Sequence, residues 1–282
     1  MNYEKILTLQ DVSCVGQCSL TVALPIISVC GLETCVLPSA VLSTHTAGFS
    51  GYTFRDLTGD MADVIAHWEK EKIAFSALYT GYLGSAAQTR FALEIAERLL
   101  KREGKFIVDP VMGDAGKLYP AFDAEFVKNM RTLVQKADVA LPNLTEACFL
   151  TGIEYRQDLS PEYVLQVVKA VGDIGAKTVV LTGVGYQPGQ TGVVVWDGKE
   201  MKHYAHKKIA NGCHGTGDVF SSAFCGAYMQ GKSCYQAAKI AADFTVACIE
   251  NTQGDAEHWY GVKFEPVLPL LWKMICDEDG NE

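Results

Sequence analysis

Two rhythms of apolar and polar residues run along this chain. Short strand-like runs recur at residues 6–10, 33–37, 74–79, 105–108, 138–141 and 178–181. Between them lie stretches with helical spacing of apolar residues. The first runs to about Gly31, and a second spans 60–72 with Asp60 as its expected N-cap. A third follows Gly81-Tyr-Leu-Gly-Ser85, with Phe91, Ile95 and Leu99 on one face and Gly104 as its expected stop. Further helices are expected from Asn143, over 161–174, and over 216–230, 233–250 and 265–276, with a long loop from Leu37 to Leu57. Asp197-Gly198 lies between two apolar runs within 191–205, a hairpin signal. Strand and helix alternate with short links, which predicts an α/β fold: a mostly parallel central sheet, helices on both faces, and a late antiparallel hairpin. No repeat or linker interrupts residues 1–282, so one domain is expected. Ligands of such sheets sit beyond the carboxyl ends of the strands, so the residues just after Gln10, Leu37, Tyr79, Val108, Leu141 and Leu181 matter most.

Charge narrows the partners. With 24 basic against 33 acidic residues and no basic cluster, a nucleic-acid partner is not expected. The stretch from Val12 to Leu32 carries no charge, but Gly16, Gln17, Ser19, Thr21, Pro25, Ser28 and Gly31 interrupt it. It reads as a buried helix with its entry loop, and no membrane partner is expected. The ten cysteines form no C-x-x-C pair and mostly occupy apolar stretches. With no signal-peptide pattern at Met1-Asn-Tyr-Glu-Lys5, a reduced cytoplasmic protein is expected.

Two glycine-rich segments compete as phosphate sites. Gly226-Ala-Tyr-Met-Gln-Gly231-Lys232-Ser233 fits the Walker A pattern, but the residues before Gly231 continue a helix (Phe220, Phe224, Ala227, Tyr228). Gly231 reads as a residue just past a helix end and Ser233 as the next N-cap. Gly215-Thr216-Gly217-Asp218 is the better candidate. Its glycines let the chain turn tightly, and the helix after it points N–H groups at an anion. Asp218 is then placed to take a proton from a hydroxyl while those groups stabilise a transferring phosphoryl group, although a first-turn acid is also common. Asp109-Pro-Val-Met-Gly-Asp114 ends one strand, and Pro142-Asn143-Leu-Thr-Glu146 ends another and opens a helix. Asn143 and Glu146 can be simple caps. Together with Asp109 and Asp114 they also offer the oxygen ligands that Mg²⁺ takes when it carries nucleotide phosphates. Thr182-Gly183 can line a nucleotide pocket.

The order Asp109-Pro-Val-Met-Gly-Asp114, Asn143-x-x-Glu146, Gly215-Thr-Gly-Asp218, together with Thr44-His45-Thr46 and Gly81-Tyr-Leu-Gly-Ser85, resembles the ribokinase-like superfamily and, within it, the pyridoxal (pyridoxamine/pyridoxine) kinases. The resemblance runs from about Lys5 to Cys276. It implies ATP-dependent phosphorylation of the 5′-hydroxymethyl of a B6 vitamer by a homodimer. Asp218 would be the base, and the backbone of Gly215, Thr216 and Gly217 an anion hole. Asp109, Asp114, Asn143 and Glu146 would organise Mg²⁺ and a monovalent cation, K⁺, with the ATP phosphates; Thr182 and Gly183 would sit beside the nucleotide. Thr46 and Tyr82 would face the pyridine ring, and residues 203–213 would belong to a flap over the nucleotide. Where such kinases carry Ser after the first strand, this chain has Asp11, expected in the substrate pocket as a cap of the following turn, as a partner of the pyridine nitrogen, or as a partner of a cationic aminomethyl group. The related hydroxymethylpyrimidine kinases are the alternative, and a non-catalytic binder of the same fold is a third reading.

Overall fold

A computed structural model describes residues 3–209 and 213–277. Among the described residues nine strands form one sheet. They are β1 (Lys5–Ser13), β2 (Glu33–Leu42), β3 (Phe54–Asp56), β4 (Phe75–Thr80), β5 (Leu100–Val108), β8 (Val139–Ala140), β9 (Thr178–Thr182), β10 (Gln190–Trp196) and β11 (Met201–Lys207). Their order is β11-β10-β9-β8-β5-β4-β1-β2-β3. The inner pairs from β2 to β9 are parallel, and antiparallel strands close both edges. A two-stranded ribbon, β6 (Gly113–Asp114) and β7 (Lys117–Leu118), stands apart.

The inner strands are apolar on both faces because helices cover both. Leu7, Leu78, Phe106, Val108 and Leu181 pack on one side with α2 (Thr58–Lys70), α3 (Ala86–Arg98), α4 (Ala124–Val134), α5 (Leu144–Thr151) and α6 (Pro161–Ile174). Ile6, Tyr79, Ile107 and Val180 pack on the other with α1 (Leu20–Val29), α7 (Thr216–Met229), α8 (Cys234–Thr252) and α9 (Leu268–Cys276). Successive strand residues thus serve opposite cores, as the two-residue pleat requires. From β1 the chain passes through α1 to β2 on one flank, whereas β4 pairs with the other flank of β1 and leads through α3 on the opposite face. The carboxyl ends of β1 and β4 therefore bound the crevice where doubly wound sheets bind ligands.

Several expectations need correcting. Gly104 does not stop a helix: α3 ends at Arg98, and Gly104 lies inside β5. Asp60 sits in the first turn of α2, whose N-cap is Leu57. The loop expected over 37–57 contains the end of β2 and the exposed edge strand β3. The stretch between Asp114 and Asp138, left unassigned by the sequence, holds α4, with Asp123 accepting from the N–H groups of Glu125 and Phe126. β1 runs on to Ser13 with a register shift between Gln10 and Val12, so Asp11 lies at a bulge within the strand rather than after it. Among the described residues no helix is long and apolar enough to cross a membrane.

Candidate active site

Helix α7 begins beside the crevice. Gly215 is its N-cap at φ +80°, and a Cβ there would fall 1.8 Å from the carbonyl oxygen of Gln17. Only glycine satisfies both the backbone angle and this approach. Lacking a side chain, Gly215 cannot cap the first turn, so the leading N–H groups stay available to an anion. The position of a Cβ on Gly217 is open to the front.

Asp218 follows in that first turn, half-buried. Burial, reinforced by the charge of Asp11, pushes its carboxyl up to about 7, while the backbone N–H of Ser19 opposes the shift. That value suits a general base working near neutrality. Asp109, 7% exposed, receives a 2.7 Å hydrogen bond from the Ser221 hydroxyl one turn along α7. Burial and the charge of Asp218 push its carboxyl up. The start of α7 and the end of β5 thus hold two carboxylates that repel each other.

Asn143 and Glu146 realise the helix-cap reading in full. Asn143 Oδ1 accepts from the N–H of Glu146 at 3.0 Å, and Glu146 Oε2 accepts from the N–H of Asn143 at 2.8 Å. The same two residues hold the chain after Asp109: Glu146 Oε1 accepts from the Met112 N–H at 3.1 Å, and Asn143 Nδ2 donates to the Gly113 carbonyl at 2.9 Å. Burial and then the charge of Asp109 raise the Glu146 carboxyl. Asp114 is exposed and accepts from the Ala115 N–H at 2.7 Å within the β6–β7 ribbon. Among the described residues no three His, Cys, Asp or Glu side chains converge as a metal cage. The pair Asp109 and Glu146 fits a cation that fills the rest of its shell with phosphate oxygens and water, as Mg²⁺ does.

Thr182 donates its N–H to the Pro142 carbonyl at 3.0 Å, and Gly183 follows at φ +78°. Gly183 opens on a groove of about 550 Å³ lined also by Leu144, Tyr155, Tyr186 and Lys208. Across the crevice Asp11, 5% exposed, accepts from the Ser13 hydroxyl at 2.9 Å, and burial raises its carboxyl. Tyr82, half-buried against Phe122, lies within the field of Asp11. Thr46 is exposed, whereas its neighbour His45 is buried, with Nε2 against the Tyr260 carbonyl and Nδ1 accepting from the Ala47 N–H. Of the flap expected over 203–213, the first five residues belong to the edge strand β11, and 210–212 lie outside the described residues.

Three groups escaped the sequence reading. Tyr119 lies in the fields of Glu146, Asp114, Asp109 and Asp218, which raise its phenol further after burial. The Tyr79 hydroxyl is fully buried near Asp109 and Asp218. Ser19 takes a positive φ that no residue pattern signals.

A model of the phosphomethylpyrimidine kinase family matches residues 30–262, most of the chain. The chain belongs to this family. A phosphomethylpyrimidine kinase family member is by that fact a phosphotransferase, here a pyridoxal kinase-like member of the ribokinase-like superfamily. Its fold overlays with a TM-score of 0.90 on a crystal structure from Bacteroides thetaiotaomicron, provisionally described as a phosphomethylpyrimidine kinase, in a crystal form with pyridoxal. The two are 37% identical, over 96% of each chain. A pyridoxal kinase of Dictyostelium discoideum is 28% identical, covering 79% of this chain and 77% of its own. A hydroxymethylpyrimidine/phosphomethylpyrimidine kinase of Aquifex aeolicus is 31% identical over 61% of this chain and 67% of its own.

Proposed function

We propose that this kinase transfers the γ-phosphoryl group of ATP to the 5′-hydroxymethyl group of a B6 vitamer. The observation that carries the reading is Asp218, a carboxylate raised to about 7 in the first turn of a helix whose N-cap has no side chain. An alcohol placed there gives its proton to Asp218, its oxygen bonds to the γ-phosphorus, and the bond to the β-phosphate oxygen breaks to release ADP. The N–H groups of Gly215, Thr216 and Gly217 take the charge on the transferring group, so catalysis is positioning and electrostatics. Asp109 and Glu146 would hold Mg²⁺, which supplies charge neutralisation to the phosphates. Asp114 is too exposed, and too engaged in its own turn, to be more than a ligand through water. Thr182 and Gly183 line the nucleotide side, and Tyr82 the ring side.

The pyridoxal in the Bacteroides relative supports a pyridine substrate. The family description and the Aquifex relative favour the second reading, a hydroxymethylpyrimidine alcohol. An ADP-release assay with pyridoxal, pyridoxamine, pyridoxine and hydroxymethylpyrimidine separates them. Turnover of a vitamer at least tenfold above the pyrimidine in kcat/KM is expected, and the reverse ratio would sink the B6 reading. Asp11 favours the cationic aminomethyl of pyridoxamine over the aldehyde of pyridoxal, since a charge-assisted hydrogen bond contributes about 1.5–3 kcal/mol. Asp11→Ser is expected to lower the ratio of kcat/KM for these two vitamers; an unchanged ratio leaves Asp11 as a turn cap.

A further inference from the structure

A hydroxyl side chain inside a helix commonly turns back to the carbonyl four residues earlier, as Thr252 does to Cys248 at 2.8 Å in α8. Ser221 in α7 does otherwise. It is 3% exposed, on a turn that also buries Phe220, Ser222 and Ala223, and its hydroxyl crosses to the end of β5 to donate to Asp109 Oδ2 at 2.7 Å. A hydroxyl set among apolar side chains is costly unless it finds an acceptor. Here the acceptor is a carboxylate of the site itself. Asp109 has its backbone N–H tied to the Thr80 carbonyl at 3.1 Å, and Pro110 after it offers no N–H to its side chain. Among the described residues the Ser221 hydroxyl is the one hydrogen-bond donor to that carboxylate. Glu146, by contrast, engages both of its oxygens with backbone N–H groups, those of Met112 and Asn143. Of these two acids, Asp109 therefore keeps the freer oxygen, Oδ1. Asp218 and Ser221 stand one turn apart on the same face of α7, so the helix that carries the base also grips the acid after β5.

We propose that Ser221 is a positioning residue that orients the carboxylate of Asp109, holding Oδ2 against α7 and leaving Oδ1 to a divalent cation on the nucleotide phosphates. A hydrogen bond behind a metal-ligating carboxylate fixes its direction, and loss of such a partner typically weakens metal binding about 10–100-fold. The inference rests on the reading of Asp109 as a Mg²⁺ ligand in the proposed kinase, and it is independent of which alcohol the enzyme takes.

Ser221→Ala removes the hydroxyl and leaves the best of the helix formers in its place. Calorimetric titration of ADP into this variant and into wild type, over a range of Mg²⁺ concentrations, reads the metal without turnover. Mg²⁺ is expected to tighten ADP binding by wild type. In Ser221→Ala the Mg²⁺ concentration that half-saturates this effect is expected to rise about 10–100-fold, with ADP affinity in the absence of Mg²⁺ within about twofold of wild type. The ADP-release assay should show the same shift in Mg²⁺ requirement, with the KM of the alcohol within about twofold. A hydroxyl that only completed the core would lower the melting temperature and leave the Mg²⁺ requirement alone. Ser222→Ala, which removes another buried hydroxyl from the same turn, is the control and is expected to leave that requirement unchanged. Should Ser221→Ala fail to fold, Ser221→Cys, which fills the same space with a weak donor, decides. A half-saturating Mg²⁺ concentration within about twofold of wild type would overturn the proposal, as would an equal shift in Ser222→Ala. If wild type phosphorylates no vitamer, the B6 reading falls, and the ADP titration still judges Ser221. Wild-type ADP binding that ignores Mg²⁺ would overturn the ligand reading of Asp109, and the role of Ser221 with it.

Discussion

Helix α7 has a glycine at each end, and the two ends meet opposite fates. At the far end the N–H of Gly231 bonds the Tyr228 carbonyl and the N–H of Lys232 bonds the Ala227 carbonyl, so the last carbonyls are closed off. Two residues on, Ser233 caps α8: its hydroxyl accepts from the Gln236 N–H, and Gln236 Oε1 accepts from the Ser233 N–H. The N–H groups of Gly231, Lys232, Ser233 and Gln236 are thus already engaged within the protein. At the near end Gly215 offers no capping side chain, and the carboxylate that follows it, Asp218, sits where it is poorly solvated. The Walker-like residues 226–233 therefore match a phosphate loop in spelling and fail in hydrogen bonding. A helix start binds phosphate only where the protein leaves it uncapped.

Breaking the open end has the largest expected effect. Asp218→Asn removes the base and should lower kcat by about 10²–10⁴-fold with little change in nucleotide affinity. Steady-state kinetics with a nucleotide titration check this, and near-full kcat would return Asp218 to an ordinary first-turn acid.

Gly215→Ala should come next. Its Cβ meets the Gln17 backbone, which cannot swing aside like a flexible side chain, so a loss of about 1–3 kcal/mol is expected together with loss of activity. Gly231→Ala, at φ +95° with open space around it, should cost only about 1 kcal/mol and leave kcat intact. Thermal melts of the two variants, run beside the assay, break the comparison if both lose activity alike.

A third expectation uses pH. The Asp218 carboxyl sits at about 7 in the folded protein against an ordinary value of 3.8, so the folded state binds more protons between these limits. Stability then falls as pH rises through that window, because the unfolded state ionises first. Asp218→Asn should gain on wild type in melting temperature from pH 5 to pH 8. Equal differences at both pH values would mean that the carboxyl is not perturbed. In the same range kcat/KM of wild type should drop about tenfold per pH unit below about 7, since only the ionised base works.

The smallest effect belongs to the closed end. Ser233→Ala removes the cap of α8 and should cost about 0.5–2 kcal/mol without touching kcat. A fall in kcat would mean that the 226–233 segment takes part in the reaction after all.

Much of this protein is dictated locally. Strands such as Phe75–Thr80 and Thr178–Thr182 are apolar on both faces, which only a sheet covered on both sides accepts. Gly231 and Ser233 announce a helix end and a helix start within three residues, because capping chemistry is local. The acids after β5 and at the start of α5 and α7 are legible for the same reason: Pro110 stops a strand, and Asn143 and Gly215 start helices. What lies on exposed edges is not legible. Phe54-Arg55-Asp56 has no buried face, so pairing with β2 alone makes it a strand. The buried hydroxyl of Tyr79 is likewise silent in one dimension, since its surroundings are groups far along the chain. The layers, the capped helices and the residue types at the strand ends all follow from propensity and periodicity, which act over a few residues. Which carboxylates lie in one another's field and which helix start stays open depend on neighbours that folding alone brings together, since burial and repulsion act across the fold.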